Sequence, residues 1–296
     1  MIFLEFHSRI IVETLTRAFQ SEKPEAISST VADFDGVLIN IETLKVKTNI
    51  AISLNWTCYS ELEKCGTQEI LKREYDDMLT SPRQGYDVTI LVDLEKHAPN
   101  KDEIIKKASL LKRWVFSAPF EKFFNHQIAE TTCSPILINY RSDSSLYLSV
   151  EKDRVTCVFT TTFKDEDDVV LGKLALQQFV DIRKERHLQQ SPQVLYSHRE
   201  PPRELQSFNV LRGDNVSYIT FVLFPRHFSD KNRYETINLL QSFRNYLHYH
   251  IKCSKAHLHS RMRARAIDSI KILNRARPDT EKEKKTASGK TFVRVA

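Results

Sequence analysis

Asp33-Phe34-Asp35-Gly36-Val37-Leu38 sets two carboxylates two residues apart ahead of a glycine. That spacing suits phosphoryl transfer, in which the first Asp attacks phosphorus and the second protonates the leaving group. The chemistry needs a strongly apolar strand to deliver both carboxylates, and Ser28-Ser29-Thr30-Val31-Ala32 is a weak strand of that kind. It also needs a downstream Lys and a paired-acid magnesium site at a strand end. Asp167-Asp168 instead follow an acidic helix start, and alternation of strand and helix is missing. The expected reading is a tight Asp-Gly turn between two strands.

Ser288-Gly289-Lys290-Thr291 imitates the end of a phosphate-binding loop, but Lys284 stands where that motif requires its first glycine. His248, His250, His257 and His259 look like metal ligands on paper. On a helix, residues two apart point about 200° apart, so His248 and His250 do not share an ion. The five cysteines, Cys58, Cys65, Cys133, Cys157 and Cys253, are odd in number, widely spaced and without a CxxC pair. They read as reduced thiols. No Ser or Cys sits in a nucleophile setting. The expectation is a protein that is not an enzyme and uses no cofactor and no metal.

The chain has 296 residues, 41% of them apolar and 28% charged, with only six glycines. That is enough for two domains with real cores. No window reaches the ~18 apolar residues of a membrane-spanning helix, and the start lacks a secretory pattern. The expected setting is cytoplasmic, without membrane insertion. Net charge is +6 and unevenly placed: from Arg226 onward 17 Lys or Arg face 6 Asp or Glu, a net of +11. The partner that this suggests is a nucleic acid, an anionic membrane or an acidic protein surface.

The elements that must position these residues follow from periodicity. Ile2 to Phe19 has helical spacing. Val31–Ile41, Val46–Trp56 and Tyr86–Leu94 read as strands, Tyr59–Leu79 as a helix interrupted near Gly66, and Lys101–Phe124 as a long helix. Asn125–Ser134 is the best domain boundary. Ile136–Arg141, Ser145–Val150, Arg154–Phe163, Gln193–Ser197 and Ser217–Phe224 read as strands, the last buried, with a helix over Asp165–Arg186. Each half is thus strands, helix, further strand and a longer helix, the pattern of an internal duplication without a residue-level repeat.

From Ser229 to Arg277 one helix of ~47 residues, roughly 70 Å, is expected, ended by Pro278. Ile237, Leu240, Leu247, Ile251, Leu258, Met262, Ile270 and Leu273 hold one stripe. Such a helix should leave its own domain and pack along another elongated element. A break into two helices near Cys253 is the alternative. Lys252, Lys255, Arg261, Arg263, Arg265, Lys271, Arg275 and Arg277 face only Asp268 and point nearly all round the helix. A membrane-surface helix would divide its faces cleanly, and a DNA-reading helix usually sits in a compact motif. An acidic protein surface fits that spread best.

Several segments carry a resemblance. They are Asp33–Leu38, Glu69–Arg73, Phe163–Val170, Tyr196–Pro202, Gly213–Asn215, Tyr218–His227, Tyr246–Lys255 and Leu273–Asp279. Together they closely resemble the subunit 2 family, the 34 kDa subunit, of the actin-related protein 2/3 complex. The likeness runs from the N-terminal helix to Gly289–Phe292 and is strongest after Arg154. It implies an α+β fold of two similar domains, each an antiparallel sheet with packed helices, plus a long C-terminal helix. The expected bounds are 1–124, 135–228, 229–277 for the helix, and 278–296 for a basic tail. It implies a non-catalytic core subunit that pairs directly with subunit 4 and joins the other subunits, including the two actin-related proteins. It also implies contact with the side of the mother actin filament during nucleation of branched networks. On this resemblance the filament contact is assigned to Lys252, Lys255, Arg261, Arg263, Arg265, Lys271, Arg275 and Arg277. The subunit 4 contact is assigned to Ile237, Leu240, Leu247, Ile251 and Leu258. The alternatives are a divergent paralogue or a basic nucleic-acid-binding protein.

Overall fold

The computed structural model describes residues 6–21, 25–33, 35–182, 191–277, 284–285 and 291–292. Residue contacts divide the chain into two units, Met1–Ile251 and Lys252–Ala296.

The first unit holds two five-stranded sheets. Sheet one is built from β1 (Ser28–Ala32), β2 (Leu38–Thr43), β3 (Asn49–Asn55), β4 (Leu79–Thr80) and β5 (Val88–Asp93), in the order β1-β2-β3-β5-β4. Sheet two is built from β6 (Ile136–Arg141), β7 (Ser144–Val150), β8 (Val155–Thr162), β9 (Gln193–His198) and β10 (Val216–Leu223), in the order β6-β7-β8-β10-β9. The two orders are the same, and every pairing is antiparallel. The expected duplication is therefore present as topology. In each half a helical segment connects the third strand to the fourth: α2 (Tyr59–Glu63) with α3 (Thr67–Tyr75), and α6 (Glu166–Ile182). In each half long helices follow the fifth strand: α4 (Lys101–Ser109) with α5 (Leu111–Ile128), and α7 (Arg233–Ala276). A further helix, α1 (Arg9–Gln20), precedes the first sheet and buries Ile11 and Leu15.

Local chemistry explains most boundaries. Gly66, at φ +91°, separates α2 from α3 where L side chains are disfavoured. β10 is buried along its whole length, as its unbroken run of apolar and β-branched residues requires. Two expectations need correction. Val31–Ile41 is not one strand, because Asp33–Val37 turns the chain back and Ala32 pairs with Leu38. The helix expected over Lys101–Phe124 breaks at Leu110 and then runs on to Ile128. Of the helix expected to reach Arg186, residues beyond Ile182 lie outside the described ones, as do Met1–Glu5 and most of the tail after Arg277.

One apolar cluster runs through both sheets. Helix α5 is its spine: residues on all its faces are buried, including Trp114, Phe116, Phe120, Phe123 and Phe124. Aromatic rings carry the packing from one sheet to the other. Phe116 lies 5.1 Å from Trp56 at the end of β3 and 5.6 Å from Tyr140 on β6. Tyr140 meets Phe159 at 6.5 Å, and Phe159 meets Phe221 at 6.0 Å. Phe221 meets Phe243 of α7 at 4.8 Å. The Trp56 indole N–H also donates to the Tyr140 carbonyl at 3.3 Å.

Above this aromatic path sits a charge cluster. Asp33 and Asp35 come from the β1–β2 turn, where Gly36 adopts φ +70° and its N–H donates to the Asp33 carbonyl at 3.0 Å. The Lys112 ammonium at the start of α5 donates to both carboxylates. Arg141 on β6 donates to Asp35 through Nε at 2.8 Å. Arg244 on α7, 7% exposed, donates to Ser144 at 3.0 Å and to Asp143 at 3.4 Å. The β1–β2 and β6–β7 turns, α5 and α7 are thus tied by paired charges. Burial pushes the Asp35 carboxyl up, but Lys112 and Arg141 outweigh it and hold it below the ordinary 3.8.

Two predictions follow from this packing. Asp35→Asn leaves Arg141 without its carboxylate and should cost roughly 2 kcal/mol at neutral pH. Because the folded pKa is depressed, that stabilisation is full above the unfolded value and is lost as pH falls through the folded one. Chemical denaturation of both proteins should therefore show a gap at pH 7 that closes below about pH 4. Gly172→Ala on α6 should lower the melting temperature, although alanine favours helix by about 1 kcal/mol. Its Cβ would stand 2.7 Å from Cζ of Phe163, a ring 1% exposed that cannot swing outward.

Candidate partner-binding helix

Among the described residues, the candidate chemical centres are structural. Asp33 and Asp35 are engaged by Lys112 and Arg141, and their turn sits between antiparallel strands. No group of three or more His, Cys, Asp or Glu side chains among the described residues can hold a metal ion. His250 packs edge to face against Tyr246 at 4.3 Å, while His257 and His259 are exposed. The cysteines are unpaired. Burial pushes the Cys58 thiol up to about 12 and raises Cys65 and Cys157, so these three are poor nucleophiles at neutral pH. Ser288, Gly289 and Lys290 lie outside the described residues, and Thr291 belongs to a two-residue strand, β12 (Thr291–Phe292), paired with β11 (Lys284–Lys285).

What remains is α7. It is one helix of 44 residues, about 66 Å long, and it does not break at Cys253. Neither Gly nor Pro interrupts it between Arg233 and Ala276. Ser260 and Ser269 turn their hydroxyls back to the carbonyls of Ala256 and Arg265, at 2.8 and 2.9 Å. That satisfies them without a competing turn. The helix starts at Arg233 rather than next to Ser229, whose carbonyl instead accepts the N–H groups of Asn232 and Arg233.

The structure divides the expected partner stripe. Ile237, Leu240, Leu247 and Ile251 are at most 1% exposed and belong to the chain's own core. Their side chains are covered by this chain and have no surface left for another one. Those four of the five positions assigned to a partner helix are thus buried within the chain itself. The sequence could not separate them from Leu258, because a stripe has the same spacing whichever molecule covers it. Leu258, at 48% exposure, is the one of the five that faces solvent. Met262, Ile270 and Leu273 are exposed as well. At 100° per residue, Leu258, Met262 and Leu273 lie within about 40° of Ile251, whereas Ile270 stands about 100° away. Apolar spacing of the same period thus runs through both the covered and the uncovered parts of α7.

The basic residues lie on the same stretch. Lys252, Arg261, Arg263, Arg265, Lys271, Arg275 and Arg277 are exposed, and Lys255 is half-buried. Lys271 reaches Asp268, the only acidic residue between positions 252 and 277, at 3.3 Å. Residues 252–277 thus combine uncovered aliphatic side chains with eight cations. Sequence reasoning missed Arg113 and Arg244, both at least 93% buried. Arg244 had left a signal: it falls on the apolar side of α7, between Leu240 and Leu247.

The model of the family described as "Arp2/3 complex, 34 kD subunit p34-Arc" matches residues 52–280. A Schizosaccharomyces pombe protein, actin-related protein 2/3 complex subunit 2, is 42% identical over 317 residues, covering all of both chains. The protein of the same name from Dictyostelium discoideum is 39% identical over 297 residues, covering 99% of each. A family match over most of the chain and two full-length relatives have one consequence: the chain belongs to the p34-Arc family, the 34 kDa subunit of the Arp2/3 complex.

Proposed function

We propose that the chain is a non-catalytic scaffold of an Arp2/3 complex, pairing with subunit 4 along α7 and meeting the side of an actin filament through its basic residues. The observation that carries this reading is the second half of α7. About 25 residues of helix expose Leu258, Met262 and Leu273 in line with the buried stripe. A solitary helix segment of that kind is marginal in water, and most helix stability comes from packing an apolar face. A partner helix supplies that packing. The two sheet-bearing repeats, 1–124 and 135–228, serve as the platform from which this helix, 229–277, and the basic tail, 278–296, engage partners. The other subunits, including the two actin-related proteins, complete the assembly, and the setting is the cytoplasmic actin cytoskeleton.

Eight cations spread round the helix leave some facing outward whichever side the partner helix takes. An acidic filament surface gives them an electrostatic reason to approach, in steering more than in raw affinity. Nucleic acid is the competing polyanion on charge alone. Its signature is binding that weakens steeply with salt for any duplex.

The first test is native purification of the tagged chain from its own cells. Recovery with two actin-related proteins and four smaller subunits in equal amounts supports the reading, and recovery alone or with nucleic acid overturns it. A second test is Leu258→Asp combined with Met262→Asp. Each loses about 1.5–3 kcal/mol of burial at a helix contact, so pairing with subunit 4 should weaken by at least roughly a hundredfold. The melting temperature of the isolated chain should stay unchanged, because both side chains are exposed in it. Reversing charge at Arg261, Arg263 and Arg265 together should weaken filament cosedimentation roughly tenfold, at up to ~1 kcal/mol per site, with assembly intact. Undiminished cosedimentation would move the filament surface elsewhere, and failed assembly would place these arginines in the subunit contact.

A further inference from the structure

Arg113 stands in the first turn of α5 and is only 4% exposed. Its Nε donates to Asn238 Oδ1 of α7 at 2.9 Å. Nη1 and Nη2 are sealed from solvent and have no hydrogen-bond partner among the described residues. The guanidinium carbon lies 4.0 Å from the Trp114 ring centre and 5.0 Å from that of Tyr234. The two rings meet edge to face at 5.5 Å. The nearby carboxylate, Glu121, is already taken: Arg73 holds both its oxygens, at 3.0 and 3.1 Å. Arg233 is in a similar position. It donates to the Glu121 carbonyl and to the Asn125 side chain, both neutral, and its Nε is buried without a partner. Arg113 and Arg233 thus each donate only to neutral acceptors. Burial draws the pKa of Arg113 below its ordinary value, and the charge of Glu121 only partly offsets that.

A buried, unpaired guanidinium is a cost to the fold, and apolar replacements of such groups are often neutral or stabilising. The planar fork of Arg, with Nη1 and Nη2 both left over, matches a carboxylate. Tyr234 forms the outer wall over that fork. It is 48% exposed and lies in the first turn of α7, and entry of a ligand to Arg113 requires its side chain to rotate away. The N-terminal end of a 44-residue helix adds positive potential at the same place. We propose that Arg113, walled by Trp114 and Tyr234, is a socket for the carboxylate of an Asp or Glu side chain on an acidic partner segment. None of its residues belongs to the basic stretch of α7, so the socket and the filament reading fail or stand separately.

The test uses the full-length chain and the indole N–H of its two tryptophans, Trp56 and Trp114, followed by NMR, with Trp56→Phe assigning the signals. The probe is glutamate capped as its N-acetyl methylamide, which carries one carboxylate. The expected result is a saturable shift of the Trp114 signal that capped glutamine does not produce. Arg113→Met should abolish it, and Arg265→Met on the basic helix should not. Arg113→Met should also melt no lower than the parent, as expected of a residue kept for binding rather than folding. Should Arg113→Met fail to fold, Arg113→Lys keeps the charge without the fork and should weaken the probe at least fivefold. A Trp114 signal that never saturates, or one that shifts equally in the Arg113 variants, overturns the socket.

Discussion

The structure of the first unit depends on the joint that α5 makes between the two sheets. A five-stranded antiparallel sheet needs a further layer to cover its apolar side chains. Helix α5 serves both. Its aromatic side chains fill the space between Trp56 of one sheet and Tyr140 of the other. Aromatic contacts of this kind bury large areas with few rotatable bonds. The Trp56 indole to Tyr140 carbonyl bond adds direction to a contact that packing alone leaves unspecific.

Polar groups follow the same logic. The cluster of Asp33, Asp35, Lys112 and Arg141 bridges the joint at its edge, where partial burial strengthens attraction without the full desolvation penalty. Carboxylates that resemble a catalytic pair thus fix the relative placement of two hairpins and a helix. Arg113 departs from this pairing: it is more deeply buried than these residues, yet its Nη1 and Nη2 meet no acceptor among the described residues. Buried groups left unsatisfied in this way tend to fall at functional or strained sites.

Helix α7 is used twice. Through Ile251 its stripe is covered by the chain's own core, Phe243 and Arg244 included. From Lys252 onward the same stripe is uncovered, and the surrounding faces are cationic. Without Gly or Pro to break it, the helix keeps one register throughout.

The sequence alone determined a good deal. It determined the α+β class, the antiparallel strands, the break at Gly66, the buried β10, the single long helix and the family, because periodicity, turn chemistry and motif residues are local. The turn reading of Asp33–Leu38 was legible for the same reason. Tertiary structure decided what periodicity cannot. The split of Val31–Ile41 into two strands and the break at Leu110 answer to pairing and packing partners far along the chain. So does the division of the α7 stripe, since Ile237 and Leu258 are equally apolar and equally spaced, and only three-dimensional coverage tells a core residue from a contact residue. The unpartnered donors of Arg113 were invisible for the same reason: a charge in a sequence does not say whether the fold gives it a counterion.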